Sequence, residues 1–119
     1  MPEPRANAID YIEMPSRDLS ATRQFFTALL GWTFQDYGPD YIAFEDGRIT
    51  GGFFAAAEVW PDAAACPLVV IYSAELEMMR AEAVRLGAEL TRDIFAFPGG
   101  RRFHFRAPGS GEFAVWSDR

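Results

Sequence analysis

The sequence predicts an α+β fold made of two tandem βαβββ modules. Three observations lead to this prediction. Strand-like and helix-like segments recur in the same order in both halves of the chain. The predicted helices start at Asp18 and Glu75 and end at Gly31 and Gly87, so equivalent points lie 57 and 56 residues apart. One module is too small to bury both faces of its own sheet. We therefore expect the two modules to pair into a curved, mixed eight-stranded sheet with helices on its convex face and a concave cleft.

In the first module, residues 9–14 alternate and are rich in β-formers, which predicts a strand that Pro15 ends. Asp18, with the two residues before it, supplies turn and N-cap chemistry for a helix. Apolar residues then recur at helical spacing until Gly31 stops the helix. Three strands are predicted at residues 32–37, 41–45 and 49–55, and Asp46-Gly47 is typical of the turn between the last two.

The second module repeats this order after an Ala-rich linker at residues 56–66. A β-branched strand is predicted at residues 67–73 and an amphipathic helix at residues 75–86, followed by Gly87. Strands at residues 89–96, 101–106 and 112–117 are separated by Gly- and Pro-rich turns. The predicted organisation is a single domain over residues 1–119, with modules at about 7–55 and 67–119.

Composition excludes several classes of protein. Half of the residues are hydrophobic and the net charge is −6, and no basic run is longer than Arg101-Arg102, so a nucleic-acid partner is not expected. No apolar run reaches the length of a membrane span, and the N-terminus has no signal-peptide pattern. The single Cys66 excludes an intrachain disulfide and fits a reducing compartment. A cytoplasmic location without a membrane partner is expected.

Strand alternation indicates which side chains face the cleft. His104 is the only histidine and is a candidate general base, with Glu13 as the second candidate catalytic residue. The alternative for His104 is a structural role, hydrogen-bonded to Glu112 or to a tyrosine. Glu13 and Arg102 are candidates for an ion pair that orients a substrate, or for a salt bridge at the rim. The predicted ligand-binding residues are Tyr11, Tyr41, Leu68, Tyr72, Arg102, Glu112 and Trp116.

Short motifs carry a resemblance to a known family over nearly the whole chain. They are residues 9–18 (IDYIEMPSRD), 25–26 (FF), 30–34 (LGWTF), 85–88 (RLGA) and 103–109 (FHFRAPG). In their order and spacing they resemble the vicinal oxygen chelate superfamily of glyoxalases, bleomycin resistance proteins and extradiol dioxygenases. Within that superfamily, the chain resembles small members related to lactoylglutathione lyase. The resemblance implies a ligand pocket inside the curved sheet, and a homodimer or internally paired modules.

The resemblance also implies where metal ligands would lie in members that use a metal. Those positions fall on Tyr11, Leu68, Ala114, and Gly52 or Phe53. Divalent ions need His, Cys or carboxylate donors in a fixed number, and tyrosine alone ligates weakly. We therefore expect neither a metal nor another cofactor.

The leading functional hypothesis is a metal-free pocket that binds an apolar or aromatic small molecule for sequestration or sensing. A second hypothesis is a lyase, isomerase or dioxygenase-type enzyme that uses an atypical metal site or acid–base chemistry by His104 and Glu13. A third is an assembly subunit with a vestigial pocket. A homodimer is expected; the alternative is a compact monomer whose two modules pair with each other.

Overall fold

The computed structural model describes residue 4, residues 6–60 and residues 66–119. The first βαβββ module contains β1 (Tyr11–Ser16), α1 (Leu19–Leu30), β2 (Thr33–Asp36), β3 (Tyr41–Glu45) and β4 (Thr50–Ala55). The second contains β5 (Val69–Tyr72), α2 (Leu76–Arg85), β6 (Glu89–Phe97), β7 (Gly100–Arg106) and β8 (Glu112–Ser117). Part of the linker predicted at residues 56–66, and most of the N-terminus, lie outside the described residues.

Both modules have the same sheet topology, which confirms the predicted tandem repeat. The strand orders are β1-β4-β3-β2 and β5-β8-β7-β6. The first and last strands of each module pair in parallel, and the remaining pairs are antiparallel. Within the described part of the chain, hydrogen bonds divide the eight strands into two four-stranded sheets, whereas the sequence suggested one curved eight-stranded sheet.

The ends of α1 follow directly from the sequence. The Asp18 side chain accepts a hydrogen bond from the Ala21 amide at 3.0 Å, which satisfies one of the open N–H groups of the first turn. At the other end Gly31 takes a left-handed conformation with φ 72°, and its amide donates to the Thr27 carbonyl. The chain therefore leaves the helix at the predicted residue and enters β2.

Pro15 was expected to end the first strand, and this prediction is wrong. β1 continues to Ser16, with Pro15 opposite Phe54 of β4. Proline lacks a backbone N–H, so it is tolerated in strands mainly at the edge of a sheet. β1 is an edge strand of the first sheet, and it keeps its register with β4 across the proline.

A single aromatic core joins the two modules. The Phe26 ring is fully buried, and its centroid lies 4.7 Å from that of Trp32, 5.7 Å from that of Phe53 and 4.9 Å from that of Phe113. Phe113 belongs to β8 of the second module, so α1 packs against both sheets. The Arg17 amide also donates to the Gly109 carbonyl at 2.6 Å. These contacts position each module against the other.

The two helices have 12 and 10 residues. Among the described residues, neither is long and apolar enough to cross a membrane.

Candidate functional site

Each sheet has one face against the core and one outer face that points away from it. In β1, Met14 is buried in the core, while Tyr11 and Glu13 alternate onto the outer face. In β7, Phe103 and Phe105 are fully buried, and the side chains between and beside them lie on the opposite face. The predicted site residues on the outer faces are Tyr11, Glu13, Tyr41, Tyr72, Arg102, His104, Glu112 and Trp116. Leu68 comes just before β5 and is half-buried.

Three polar side chains form a connected network on the outer face of the first sheet. The Tyr41 hydroxyl donates to Glu13 Oε2 at 2.9 Å, and the Tyr11 hydroxyl lies 2.5 Å from the Tyr41 hydroxyl. We call these residues the tyrosine–glutamate network. The network spans β1 and β3, which do not pair with each other because β4 lies between them.

Gly52 of β4 makes this network possible. Gly52 lies opposite both Glu13 of β1 and Ala43 of β3, so it sits between the two strands that carry the network. A Cβ atom at Gly52 would lie 2.0 Å from the Tyr41 hydroxyl oxygen and 2.4 Å from its Cζ atom. Any larger residue would therefore push the Tyr41 ring away from β4. The Tyr41 ring reaches Glu13 only because this position has no side chain.

The environment of Tyr41 keeps its hydroxyl protonated. Burial, followed by the hydrogen bonds with Tyr11 and Glu13, raises the pKa of Tyr41 well above its usual range. The phenol is consequently neutral at physiological pH and acts as a donor to the Glu13 carboxylate. Because the Tyr41 proton points to Glu13, the Tyr11 hydroxyl donates to the Tyr41 oxygen.

A cavity of about 470 Å³ opens over this part of the first sheet. This volume falls within the range of small-molecule sites, which combine apolar walls with a few polar groups. Its lining residues, as far as the structure describes the chain, belong to the first module: Tyr11, Thr33, Phe34, Gln35, Tyr37, Tyr41, Ala43, Phe44, Glu45 and Thr50. Of the residues predicted to bind a ligand, only Tyr11 and Tyr41 line it.

Several lining residues were missed by the sequence reasoning. Thr33 and Gln35 alternate on β2, and Glu45 follows Tyr41 and Ala43 on the same face of β3. The same alternation that identified Tyr41 could have identified these three residues. Tyr37 lies beyond the end of β2, where alternation gives no information, and its side chain is 58% exposed.

His104 belongs to a separate cluster on the second sheet. Its Nδ1 atom lies 3.1 Å from Glu112 Oε2, and both side chains are more than nine-tenths buried. Glu112 Oε2 also accepts a hydrogen bond from the Thr91 hydroxyl at 2.8 Å. His104 Nε2 is buried and has no hydrogen-bond partner among the described residues. The alternative considered for His104, a buried histidine hydrogen-bonded to Glu112, is what the structure shows.

The structure does not bring Glu13 together with His104 or Arg102. Glu13 belongs to the tyrosine–glutamate network, whereas the Arg102 guanidinium lies 5.3 Å from the ring centroid of Phe95 and 5.4 Å from that of Phe97. Neither candidate contact between Glu13 and Arg102, the substrate-orienting ion pair or the salt bridge at the rim, forms among the described residues. Strand alternation placed both residues on outer faces, but these faces belong to different sheets.

Tyr72 and Trp116 pack against each other on the outer face of the second sheet. Their ring centroids are 5.1 Å apart, and the Tyr72 hydroxyl donates to Asp118 Oδ1 at 2.8 Å. Trp116 also contacts Phe97, with the ring centroids 6.4 Å apart. Neither Tyr72 nor Trp116 lines the cavity on the first sheet.

The positions at which the resemblance implies metal ligands do not fit a divalent ion. Ala114 is fully buried and has no donor, and Gly52 lies beneath the Tyr41 ring. Leu68 is apolar, which leaves Tyr11 as the only oxygen donor of this set. Among the described residues, no three His, Cys, Asp or Glu side chains come close enough together to hold a metal ion.

Comparisons with solved structures show proteins of the same fold. A glyoxalase/bleomycin resistance protein/dioxygenase family enzyme from Burkholderia phytofirmans PsJN superposes with a TM-score of 0.79 at 15% identity, over 93% of this chain and 100% of that chain. A glyoxalase-related enzyme from Fulvimarina pelagi gives a TM-score of 0.77 at 17% identity, over 93% of this chain and 88% of that chain.

A mutant of the fosfomycin resistance protein FosX from Listeria monocytogenes, in complex with Mn(II) and a dihydroxypropylphosphonic acid, gives a TM-score of 0.79 at 14% identity. The superposition covers 94% of this chain and 90% of that chain. A comparison with curated proteins finds no match. The sequence profile of the Glyoxalase/Bleomycin resistance protein/Dioxygenase superfamily matches residues 8–114. The chain therefore belongs to this superfamily.

Proposed function

We propose that the protein binds a small aromatic or apolar molecule in the cavity on the outer face of the first sheet, and thereby sequesters or senses it. The observation that supports this function is the cavity itself, which combines aromatic rings with a polar network at its floor. No step of the proposed function requires a metal. With one cysteine per chain no intrachain disulfide can form, which fits the cytoplasmic location that we propose.

A pair of glycine substitutions tests the location of the site. Gly52→Ala forces the Tyr41 ring off β4 and disrupts the floor of the cavity. Gly111→Ala is the matched control, because a Cβ atom there has only ordinary contacts with Trp60, at 3.6 Å and beyond. Ligand-detected NMR with an aromatic fragment library finds the ligands. We expect Gly52→Ala to weaken binding at least tenfold and Gly111→Ala to leave it unchanged; equal effects would exclude this site.

We further propose that the protein is a homodimer. Its superfamily resemblance implies that modules pair across subunits as well as within them. Large apolar side chains remain exposed on the outer face of the second sheet, Val70 at 43% and Tyr72 at 47%. A partner that covers this face would remove this surface from water and leave the cavity on the first sheet open.

One observation favours a second candidate function, metal-free acid–base catalysis on the second sheet. Glu112 orients the His104 ring through Nδ1, as the orienting carboxylate of a catalytic histidine does. The proposed base, Nε2, is buried, so a substrate reaches it only if the outer face of the second sheet opens. Turnover lost in His104→Ala, with ligand binding at the first sheet unchanged, would support this function over simple binding.

A further inference from the structure

The tyrosine–glutamate network offers the cavity only hydrogen-bond acceptors. The Glu13 carboxylate accepts and cannot donate, so the single hydroxyl proton of Tyr41 is directed at Glu13. The contact of 2.5 Å between the two phenols needs a proton, and Tyr11 must supply it. Both phenol protons are thus used inside the network. Tyr11 lines the cavity, and its oxygen has only lone pairs left for a ligand.

The described walls of the cavity add neutral groups that can donate or accept, such as Gln35 and Thr50, together with a negative charge. Glu45 is a carboxylate in the lining, and the described part of the lining contains no arginine or histidine. The chain has no lysine, and the arginines that the structure describes all lie outside this lining. The exposed rings of Tyr11 and Tyr37 present π-faces, which attract cations. A net charge of −6 adds a long-range field of the same sign.

We infer that the ligand is an organic cation: an aromatic or apolar body that carries a protonated amine. The amine donates N–H bonds to the Tyr11 oxygen and lies near Glu13 and Glu45, while the body packs against the aromatic wall. This inference rests on the proposed binding function and adds the charge of the ligand. Ligands with a phosphonate or carboxylate group would meet acceptors and negative charge at the same place.

Three probes of nearly equal size test the inference: 2-phenylethylamine, 2-phenylethanol and phenylacetate. Their dissociation constants are measured by NMR titration of the full chain at neutral pH. We expect the amine to bind at least tenfold more tightly than the alcohol, and the carboxylate to bind more weakly than the alcohol. The preference for the amine should shrink as salt is raised, because salt screens charges at a partly open site.

Variants identify the groups responsible. Glu13→Gln should reduce the preference for the amine over the alcohol by about fivefold or more. Glu82→Gln is the control, because it removes the same charge from exposed helix α2, where Glu82 pairs with Arg85. Tyr11→Phe keeps the ring and removes the acceptor, so it should weaken the amine more than the alcohol.

The outcomes separate the two proposals. If the alcohol or the carboxylate binds as tightly as the amine, the cationic ligand is excluded while the binding function stands. An unchanged amine preference in Glu13→Gln also overturns the inference. If none of the three probes shifts resonances of the cavity residues, both the binding function at this face and the inference that rests on it fail.

Discussion

Truncation of Phe26 to alanine should destabilise both modules together. The Phe26 ring is fully buried. It contacts Trp32 and Phe53 of the first module and Phe113 of the second. Phe→Ala changes in well-packed cores cost about 3–5 kcal/mol, from lost burial and the remaining cavity. For a chain of 119 residues, this free energy corresponds to a fall in Tm of roughly 12–20 °C.

Phe54→Ala is the matched control. Phe54 adjoins Phe53 on β4 but lies on the outer face and is only half-buried, so its loss should cost about 1–2 kcal/mol. The assay combines chemical denaturation with amide hydrogen exchange of β4 and β8, the strands that carry Phe53 and Phe113. In Phe26→Ala, protection should fall equally in both strands. If β4 loses protection while β8 keeps its original value, the modules are independent and a shared core is the wrong explanation.

Further predictions concern charges, the buried histidine, assembly and metal binding. The Arg80 guanidinium lowers the pKa of Asp93 to about 2. This ion pair should therefore stabilise the fold above the ordinary carboxyl pKa, and the stabilisation should be lost as the pH falls through about 2. NMR titration of Asp93 should show a midpoint near 2 that rises in Arg80→Ala. His104→Ala deprives the buried Glu112 carboxylate of a partner and should lower the free energy of unfolding by about 1–3 kcal/mol in urea denaturation, whereas an unchanged midpoint would mean that the contact contributes nothing. Sedimentation at micromolar concentration should give twice the chain mass of 13.3 kDa, and a monomer alone would refute the dimer. Elemental analysis should find no stoichiometric Zn, Ni, Mn or Fe; one tightly held ion per chain would contradict this expectation.

Elements defined by local chemistry were predicted closely. Asp18 and Gly31 bound α1 because a side-chain cap and a left-handed residue act within one helical turn. The alternation of apolar and polar residues gave the correct inner face for β1 and β7 because the side-chain period of a strand is two. Pro15 misled the reasoning because its effect depends on whether the strand lies at an edge, and strand order is a tertiary property.

The composition of the candidate site could be predicted only in part. Alternation predicts that the side chains of Glu13, Arg102 and His104 point away from the core. It does not predict whether these side chains lie on the same sheet. A single continuous sheet would have put all three in one cleft. In the structure, Glu13 contacts Tyr41 while His104 contacts Glu112, because each module closes its own four-stranded sheet. Contacts between side chains on different strands depend on this arrangement.

Tyr11 and Gly52 both depart from the ligands that the resemblance implies, and the two departures have one structural consequence. The resemblance implies metal ligands at Tyr11 and near Gly52, and neither residue supplies a usual metal donor. The Tyr41 ring lies over Gly52, and its hydroxyl joins Tyr11 to Glu13. The space above these two positions is thus filled by a hydrogen-bonded chain of two phenols that ends at a carboxylate. Restoring a histidine at position 11 would still leave Tyr41 above Gly52, and the fully buried Ala114 supplies no further donor. The same substitutions that remove a metal's ligands therefore build the floor of the cavity that we propose as a binding site.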